Sequence, residues 1–252
     1  MGDELITMID LWKKFKIPHE KRTTILENIS GLLQIFEGKR FTYEEFWALK
    51  NINFSLKEGE SLGIIGENGS GKTTLLKVIA NILRPNKGKV IVRGRIAPIL
   101  ELGIGFHPDL TARENISVYG SIMGLKGNEV KERMDSILAF AGLEKFRDAK
   151  LKSFSSGMQM RLAFSVAAET NPDIYLIDEA LAVGDIEFYR KCIDKFKQIK
   201  EEKKTILLVS HDMKLMENFC DRTMFLSRGE MMFLGDSGEA IERYVEHMAG
   251  RK

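Results

Sequence analysis

The sequence has few cysteines, no long apolar run and almost no excess of either charge. Cys192 and Cys220 are its only cysteines in 252 residues, too few for a disulfide framework or a cysteine zinc site, so we expect both to be reduced and structural. No apolar run approaches the roughly 18 residues of a membrane span, and the N-terminal MGDELITMID lacks the basic and then apolar pattern of a signal peptide. These absences predict a cytoplasmic chain.

The charges also argue against a nucleic-acid partner. The chain has 38 Lys and Arg residues and 36 Asp and Glu residues, and the basic residues are interleaved with acidic ones rather than gathered in stripes. Because 44% of the residues are hydrophobic, a chain of this length can bury a substantial core. We therefore expect a globular protein that does not bind nucleic acid.

The segment GENGSGKTT, residues 66–74, fits the phosphate-loop pattern G-x-x-x-x-G-K-[ST]. It follows a short apolar run and precedes a stretch with helical spacing of leucine and isoleucine, so a strand, a glycine loop and a helix occur in the required order. An ordinary turn is the alternative, but this pattern is rare by chance. The predicted phosphate-binding residues are Gly66, Asn68, Gly69, Ser70, Gly71, Lys72, Thr73 and Thr74.

The lysine and the first threonine of this loop have separate predicted roles. Lys72 would reach the β- and γ-phosphates of a nucleotide, and the Thr73 hydroxyl would hold Mg²⁺. The expected cofactors are therefore ATP and Mg²⁺.

Strands and helices alternate along the chain, which predicts an α/β fold with a mostly parallel sheet. The segments IYLIDEA and TILLVSHD suit strands buried on both faces. Other strands are predicted at 5–11, 48–56, 88–92 and 96–102, with a hairpin around 227–230. Helices are predicted at 113–123, 156–169, 186–202 and 238–250, together with one that begins with an Asn128 cap and ends at Gly142.

Three polar side chains lie at the carboxyl ends of predicted strands, the edge where ligands bind in such sheets. Asp178 would hold Mg²⁺, and Glu179 would act as the base that polarises the attacking water. A pair of solvated turn carboxylates is the alternative. His211 is predicted to lie beside the γ-phosphate. The other histidines, at positions 19, 107 and 247, are expected on the surface.

Residues 24–36 form an unusual amphipathic segment between the first two predicted strands. Apolar residues recur on one helical face of TILENISGLLQIF, and the flanking segments are basic. Such a helix usually covers the core of its own domain. The alternative is a helix that lies at a membrane surface or against a partner.

These motifs, in this order, resemble those of the ATP-binding subunits of ABC transporters over nearly the whole chain. Besides the phosphate loop, FSSGM at 154–158 resembles the family signature, DEALAVGD at 178–185 resembles the metal and base pair with its following loop, and SHD holds the switch histidine. The resemblance implies a P-loop NTPase of ABC ATPase type, with a mostly parallel central sheet, an antiparallel β subdomain and an inserted helical subdomain. It implies one domain over 1–252: a catalytic core at 1–104 and 170–252, a helical subdomain at 105–169 and an N-terminal amphipathic insertion at 18–47.

The resemblance also implies a homodimer with ATP at the interface. Ser155 and Gly157 of the signature would bind the γ-phosphate held by the opposite subunit, and Asp185 would end the loop beside the nucleotide. The signature differs from L-S-G-G-Q at Phe154, Ser156 and Met158.

Two further positions differ from the usual family pattern or are ambiguous. Leu102 lies where the family has a glutamine facing its membrane partner, and the adjacent Glu101 would take the place of that glutamine near the metal. The aromatic that stacks on adenine could be Tyr43, Phe46 or Trp47. Stacking requires an exposed ring face, and each of the three could instead be part of the core.

LELGIGFHPDLTARENI, SSGM and DEALAVGD together resemble one branch of the family: ATPases that export bacterial O-antigen, capsule or teichoic acid. The implied partners are an integral membrane channel subunit and a lipid-linked polysaccharide as cargo, and the implied location is the cytoplasmic face of the inner membrane. Some members of this branch carry a further C-terminal domain that binds the glycan. We do not expect residues 1–252 to include such a domain. The alternatives are a subunit of another ABC transporter and a soluble ABC-type ATPase.

Overall fold

The computed structural model describes residues 4–18, 43–100, 102–178 and 185–250. In these ranges it has nine strands and seven α-helices, and their bounds in chain order are β1 (Glu4–Pro18), β2 (Tyr43–Lys57), β3 (Ser61–Ile65), α1 (Lys72–Ile79), β4 (Lys87–Val92), β5 (Ile96–Ile99), α2 (Ala112–Ile122), α3 (Gly127–Ala141), α4 (Ser156–Ala168), β6 (Ile174–Asp178), α5 (Ile186–Glu201), β7 (Thr205–Val209), α6 (Met213–Phe219), β8 (Arg222–Ser227), β9 (Glu230–Gly235) and α7 (Ser237–Ala249). The amphipathic segment at 24–36 lies outside the described residues.

The central sheet has six strands in the order β5-β6-β7-β3-β8-β9. Five of them are mutually parallel and β9 pairs antiparallel with β8. Along β7, Leu207 and Val209 belong to one apolar cluster and Ile206 and Leu208 to another, so both faces of the sheet are covered. This burial explains why β3, β6 and β7 read as continuous apolar runs, and the predicted α/β class with a mostly parallel sheet is confirmed.

A second, antiparallel sheet of three strands has the order β2-β1-β4. Its first two strands are longer than the 5–11 and 48–56 predicted, because pairing continues to Pro18↔Tyr43. The additional residues alternate between polar and apolar side chains only over the short stretch 14–17. They are held instead by contacts such as the Lys14–Glu45 ion pair at 2.7 Å and the edge-to-face packing of Trp12 on Trp47, with ring centroids 5.4 Å apart.

Helices α2, α3 and α4 share an apolar cluster of their own. Helix α2 begins with a capping box in which Glu114 N donates to Thr111 Oγ1 and Thr111 N donates to Glu114 Oε2. The Asn128 cap predicted for α3 is wrong. That helix begins at Gly127, and the backbone N of Lys126 donates to Glu129 Oε2 at 2.7 Å. The helix ends at Gly142 as predicted, and this glycine has the left-handed conformation.

The remaining helix bounds agree with the predicted ones to within one residue, and the hairpin joins β8 to β9 at Ser227↔Glu230. The domain bounds at 104/105 and 169/170 stay predictions. None of the helices in the described ranges is both long enough and apolar enough to cross a bilayer.

Candidate functional site

The phosphate loop joins β3 to α1 at the carboxyl edge of the central sheet. A Cβ on Gly66 would collide with the carbonyl oxygen of Leu226, and one on Gly71 would lie 2.6 Å from that of Ala48. Gly71 also has φ of 108°, which side-chain-bearing residues rarely adopt. The glycines are therefore required by the close approach of β8 and β2 to the loop.

Lys72 lies inside the loop. Its side chain is buried, and Nζ donates to the carbonyl oxygens of Gly66 at 2.7 Å and Glu67 at 3.1 Å. Helix α1 has no side-chain cap on its first turn, and the buried hydroxyl of Ser70 has no hydrogen-bond partner among the described residues. A cationic group and uncapped N–H donors at a helix start form an arrangement that fits a phosphate group.

The neighbouring strands bring two further predicted residues to the same edge. Strand β7 lies between β3 and β6. Asp178 is half-buried, is the last residue of β6 and pairs with Val209 of β7. The exposed His211 lies two residues after Val209. The Asp178 carboxylate and the Thr73 hydroxyl, which is exposed in the first turn of α1, are oxygen donors of the kind that Mg²⁺ prefers. Glu179 and Glu101 lie outside the described residues.

The signature segment forms the start of α4. Ser155 caps this helix, because its Oγ accepts a hydrogen bond from Met158 N at 3.2 Å. Gly157 lies in the first turn with open space around it: a Cβ added to this glycine would lie 3.9 Å from Ser155 Oγ. Phe154 is buried and packs edge-on against Phe146. The Phe in place of the usual Leu is therefore part of the apolar core.

Asp185 caps α5. Its Oδ1 accepts from Phe188 N at 2.9 Å, and its Oδ2 lies 3.8 Å from a guanidinium nitrogen of Arg161. The helix start needs an acceptor at this position irrespective of nucleotide. A role for Asp185 beside the nucleotide stays a prediction.

The three candidate adenine-stacking aromatics all lie on β2. Tyr43 and Phe46 are about half exposed, at 53% and 49%. Trp47 packs against Trp12, and the Lys14 ammonium lies 5.3 Å from its ring centroid. Trp12 was not singled out by its sequence context, because only the pairing of β1 with β2 brings the two indoles together. The choice among the candidates stays open.

The sequence predicted the hairpin between β8 and β9 but not its contacts with the phosphate loop. The backbone N of Gly229 donates to Ser70 O at 2.9 Å, and Ser227 Oγ donates to Glu67 Oε1 at 3.1 Å across 160 residues of sequence. His247 was expected on the surface, but it is half-buried, lies 3.4 Å from Ser227 Oγ and packs edge-on against Phe225. No local sequence signal could have indicated these contacts.

A family model described as ABC transporter matches residues 49–182. The chain is 42% identical to the O-antigen export system ATP-binding protein RfbB of Klebsiella pneumoniae, over 98% of this chain and 100% of that protein. It is 44% identical to RfbB of Myxococcus xanthus over 86% of this chain and 50% of that protein. It is 39% identical to the teichoic acids export ATP-binding protein TagH of Shouchella clausii over 90% of this chain and 64% of that protein. The chain thus spans half to about two thirds of the latter two relatives.

Among solved structures, the chain resembles the ATP-binding cassette MJ0796 in a dimeric post-hydrolysis state bound to ADP and Pi. The TM-score is 0.71 at 26% identity, over 92% of this chain and 98% of that one. The folds therefore agree over nearly the full length of both proteins.

Proposed function

Because this chain belongs to the ABC transporter family and is an ABC-type ATPase that binds ATP, we propose that it powers the export of a lipid-linked polysaccharide across the inner membrane. The observation that carries this proposal is the 42% identity to an O-antigen export ATP-binding protein over the full length of that protein. The similarity to a teichoic acid export protein supports the same cargo class.

The phosphate loop would bind the nucleotide through its own N–H groups and Lys72. The lysine ammonium is already held within the loop by two carbonyl oxygens, so a phosphate that displaces them meets a cation whose position is nearly fixed. The N–H groups at the start of α1 add donors and the positive end of the helix dipole.

Mg²⁺ would be held by the Thr73 hydroxyl and the Asp178 carboxylate, with Glu101 near the metal. The bound ion would offset negative charge on the β- and γ-phosphates. Asp178 is suited to this role because it ends β6 at the sheet edge where the phosphate loop follows β3. Only β7 lies between these two strands.

Hydrolysis would need a base and a group at the γ-phosphate. Glu179 follows Asp178 directly and would polarise the attacking water, while His211 at the end of β7 would contact the γ-phosphate. Ser155 and Gly157 of a second copy would complete the site, because a helix start is suited to binding an anion. Support for a homodimer with ATP at its interface comes from the dimeric cassette that this fold resembles.

An integral membrane channel subunit would contact the surface around residues 102–111. Three large apolar side chains are exposed there. Ile104 in the loop is 57% exposed, and Val118 and Ile122 on the adjacent α2 are 41% and 59% exposed. Exposed apolar residues grouped in this way are typical of protein contacts. The chain would then lie at the cytoplasmic face of the inner membrane.

The test is purification of a tagged Glu179→Gln variant from solubilised native membranes with ATP and Mg²⁺, followed by mass spectrometry of the proteins and lipids that copurify. We expect a polytopic membrane protein and a polyprenyl-linked glycan. The Lys72→Ala variant is the control, because it should not be held in the ATP-bound state. Recovery of only ribosomal, DNA-bound or other non-membrane partners would contradict the transport proposal and leave the ATPase assignment unchanged.

A further inference from the structure

The turn between β8 and β9 is packed directly on the phosphate loop. Gly229 N donates to Ser70 O, and Gly229 O accepts from Lys50 N at 2.7 Å, so the turn bridges the loop and β2. The Leu226 carbonyl oxygen occupies the space where a side chain at position 66 would lie. The carboxyl-terminal part of the chain thus forms one wall of the loop.

Ser227 makes the side-chain contact between this wall and the loop. Its side chain is 3% exposed, and its Oγ lies 3.1 Å from Glu67 Oε1 and 3.4 Å from His247 Nε2. A hydroxyl has one proton, and an ionised carboxylate can only accept. The Ser227 proton is therefore donated to Glu67, and His247 must carry its proton on Nε2 to donate to Ser227.

Glu67, which accepts the hydrogen bond from Ser227, is part of the loop that holds Lys72. The carbonyl oxygen of Glu67 accepts from Lys72 Nζ, while its carboxylate accepts from Ser227. We propose that Ser227 is a positioning residue for nucleotide binding, which fixes Glu67 and through it the shape of the phosphate loop, with His247 orienting the serine hydroxyl. An ordered loop loses less conformational entropy when a phosphate binds. Ser227 would have this role whatever cargo is transported.

Ser61 provides a matched control within the same sheet. It lies on β3 and is fully buried, but its hydroxyl has no hydrogen-bond partner among the described residues. Replacement of either serine by alanine removes one buried hydroxyl, and only Ser227→Ala removes a contact to the loop. If loss of a buried hydroxyl from this sheet were enough to weaken nucleotide binding, both variants would bind ADP equally weakly.

The test is the affinity of the purified chain for ADP with Mg²⁺, measured by calorimetry, because ADP cannot be hydrolysed. We expect Ser227→Ala to weaken ADP binding by about threefold to tenfold, the range for loss of one hydrogen bond. The KM for ATP should rise in parallel while kcat stays within about twofold. Ser227→Thr should restore binding, and Ser61→Ala should bind as the wild type does. Wild-type affinity of Ser227→Ala, or an equal loss in Ser61→Ala, would overturn the proposal.

A double-mutant cycle tests whether Ser227 acts through Glu67. In a Glu67→Ala background, Ser227→Ala should cause no further loss of ADP affinity. The same loss in both backgrounds would overturn the proposed route. His247 is tested by His247→Gln, which can still donate from its amide, against His247→Phe, which keeps only the ring packing on Phe225. We expect weaker ADP binding in the phenylalanine variant alone, and equal affinities would exclude His247 from the arrangement.

Discussion

Asn115 and His107 exchange two hydrogen bonds. The backbone N of His107 donates to Asn115 Oδ1 at 2.7 Å, and Asn115 Nδ2 donates to His107 O at 3.1 Å. The same amide nitrogen lies 3.1 Å from Leu110 O and 3.0 Å from Thr111 O, and the Asn115 side chain is fully buried. One residue of α2 thus holds the loop that precedes the helix.

We predict that Asn115→Leu, which keeps the side-chain volume, lowers the free energy of unfolding by about 2 to 4 kcal/mol, because the backbone groups of His107 lose their partner. Urea denaturation measures the change. Asn128→Leu, at an exposed position of α3, is the control and should change stability by no more than about 0.5 kcal/mol. Equal effects of the two changes would show that the amide does not hold the loop.

Lys72→Met should weaken ATP binding by at least about tenfold, because a charge-assisted contact to phosphate is lost. Fluorescence titration with a nucleotide analogue measures the affinity. Lys77→Met on the same helix is the control, since this residue follows the first turn of α1 and should leave affinity unchanged. Undiminished binding by Lys72→Met would refute the assignment of the phosphate loop.

Stability should fall in acid partly because of Glu114. The backbone and hydroxyl hydrogen bonds from Thr111 hold the pKa of this carboxyl below its ordinary value of 4.5. The stabilisation is therefore complete above pH 4.5 and is lost as the pH falls through the lower folded-state value. In Glu114→Gln the unfolding free energy should depend less on pH in this acid range, and Thr111→Ala, which keeps the backbone donor, should retain part of the dependence. A wild-type profile for Glu114→Gln would contradict this cause.

The two cysteines should be unreactive in the native protein. Both thiols are free and buried, and burial raises the pKa of Cys192 and of Cys220 from 9.0 to about 12. The thiolate population is then about a thousandfold below that of an ordinary cysteine. We expect iodoacetamide to label neither residue until urea is added, as measured by mass spectrometry. Rapid labelling of the native chain would show that a thiol is accessible.

The sequence predicted the central sheet well because burial on both faces leaves a local signal. Strands β3 and β7 are short apolar runs that begin with one polar residue, and the phosphate loop and His211 follow their carboxyl ends. The extensions of β1 and β2 carry no such signal. Lys14 pairs with Glu45 and Trp12 packs on Trp47 across the two strands, and contacts of this kind depend on a partner elsewhere in the chain.

The phosphate loop and the residues at strand ends could be predicted because the chemistry itself constrains their spacing. The contacts that hold the loop could not. Ser227 and Glu67 meet only because β8 lies beside β3, and nothing in the sequence around either residue indicates the other. The burial of His247 was missed for the same reason.

The packing of Trp12 on Trp47 has an optical consequence. Trp12 and Trp47 are the only tryptophans in the chain, and they lie on the paired strands β1 and β2. Indole emission therefore reports on the three-stranded sheet alone, whereas far-ultraviolet circular dichroism averages over the whole backbone. Thermal melts recorded with the two signals would coincide if the protein unfolds as one cooperative body and would separate if this sheet melts independently.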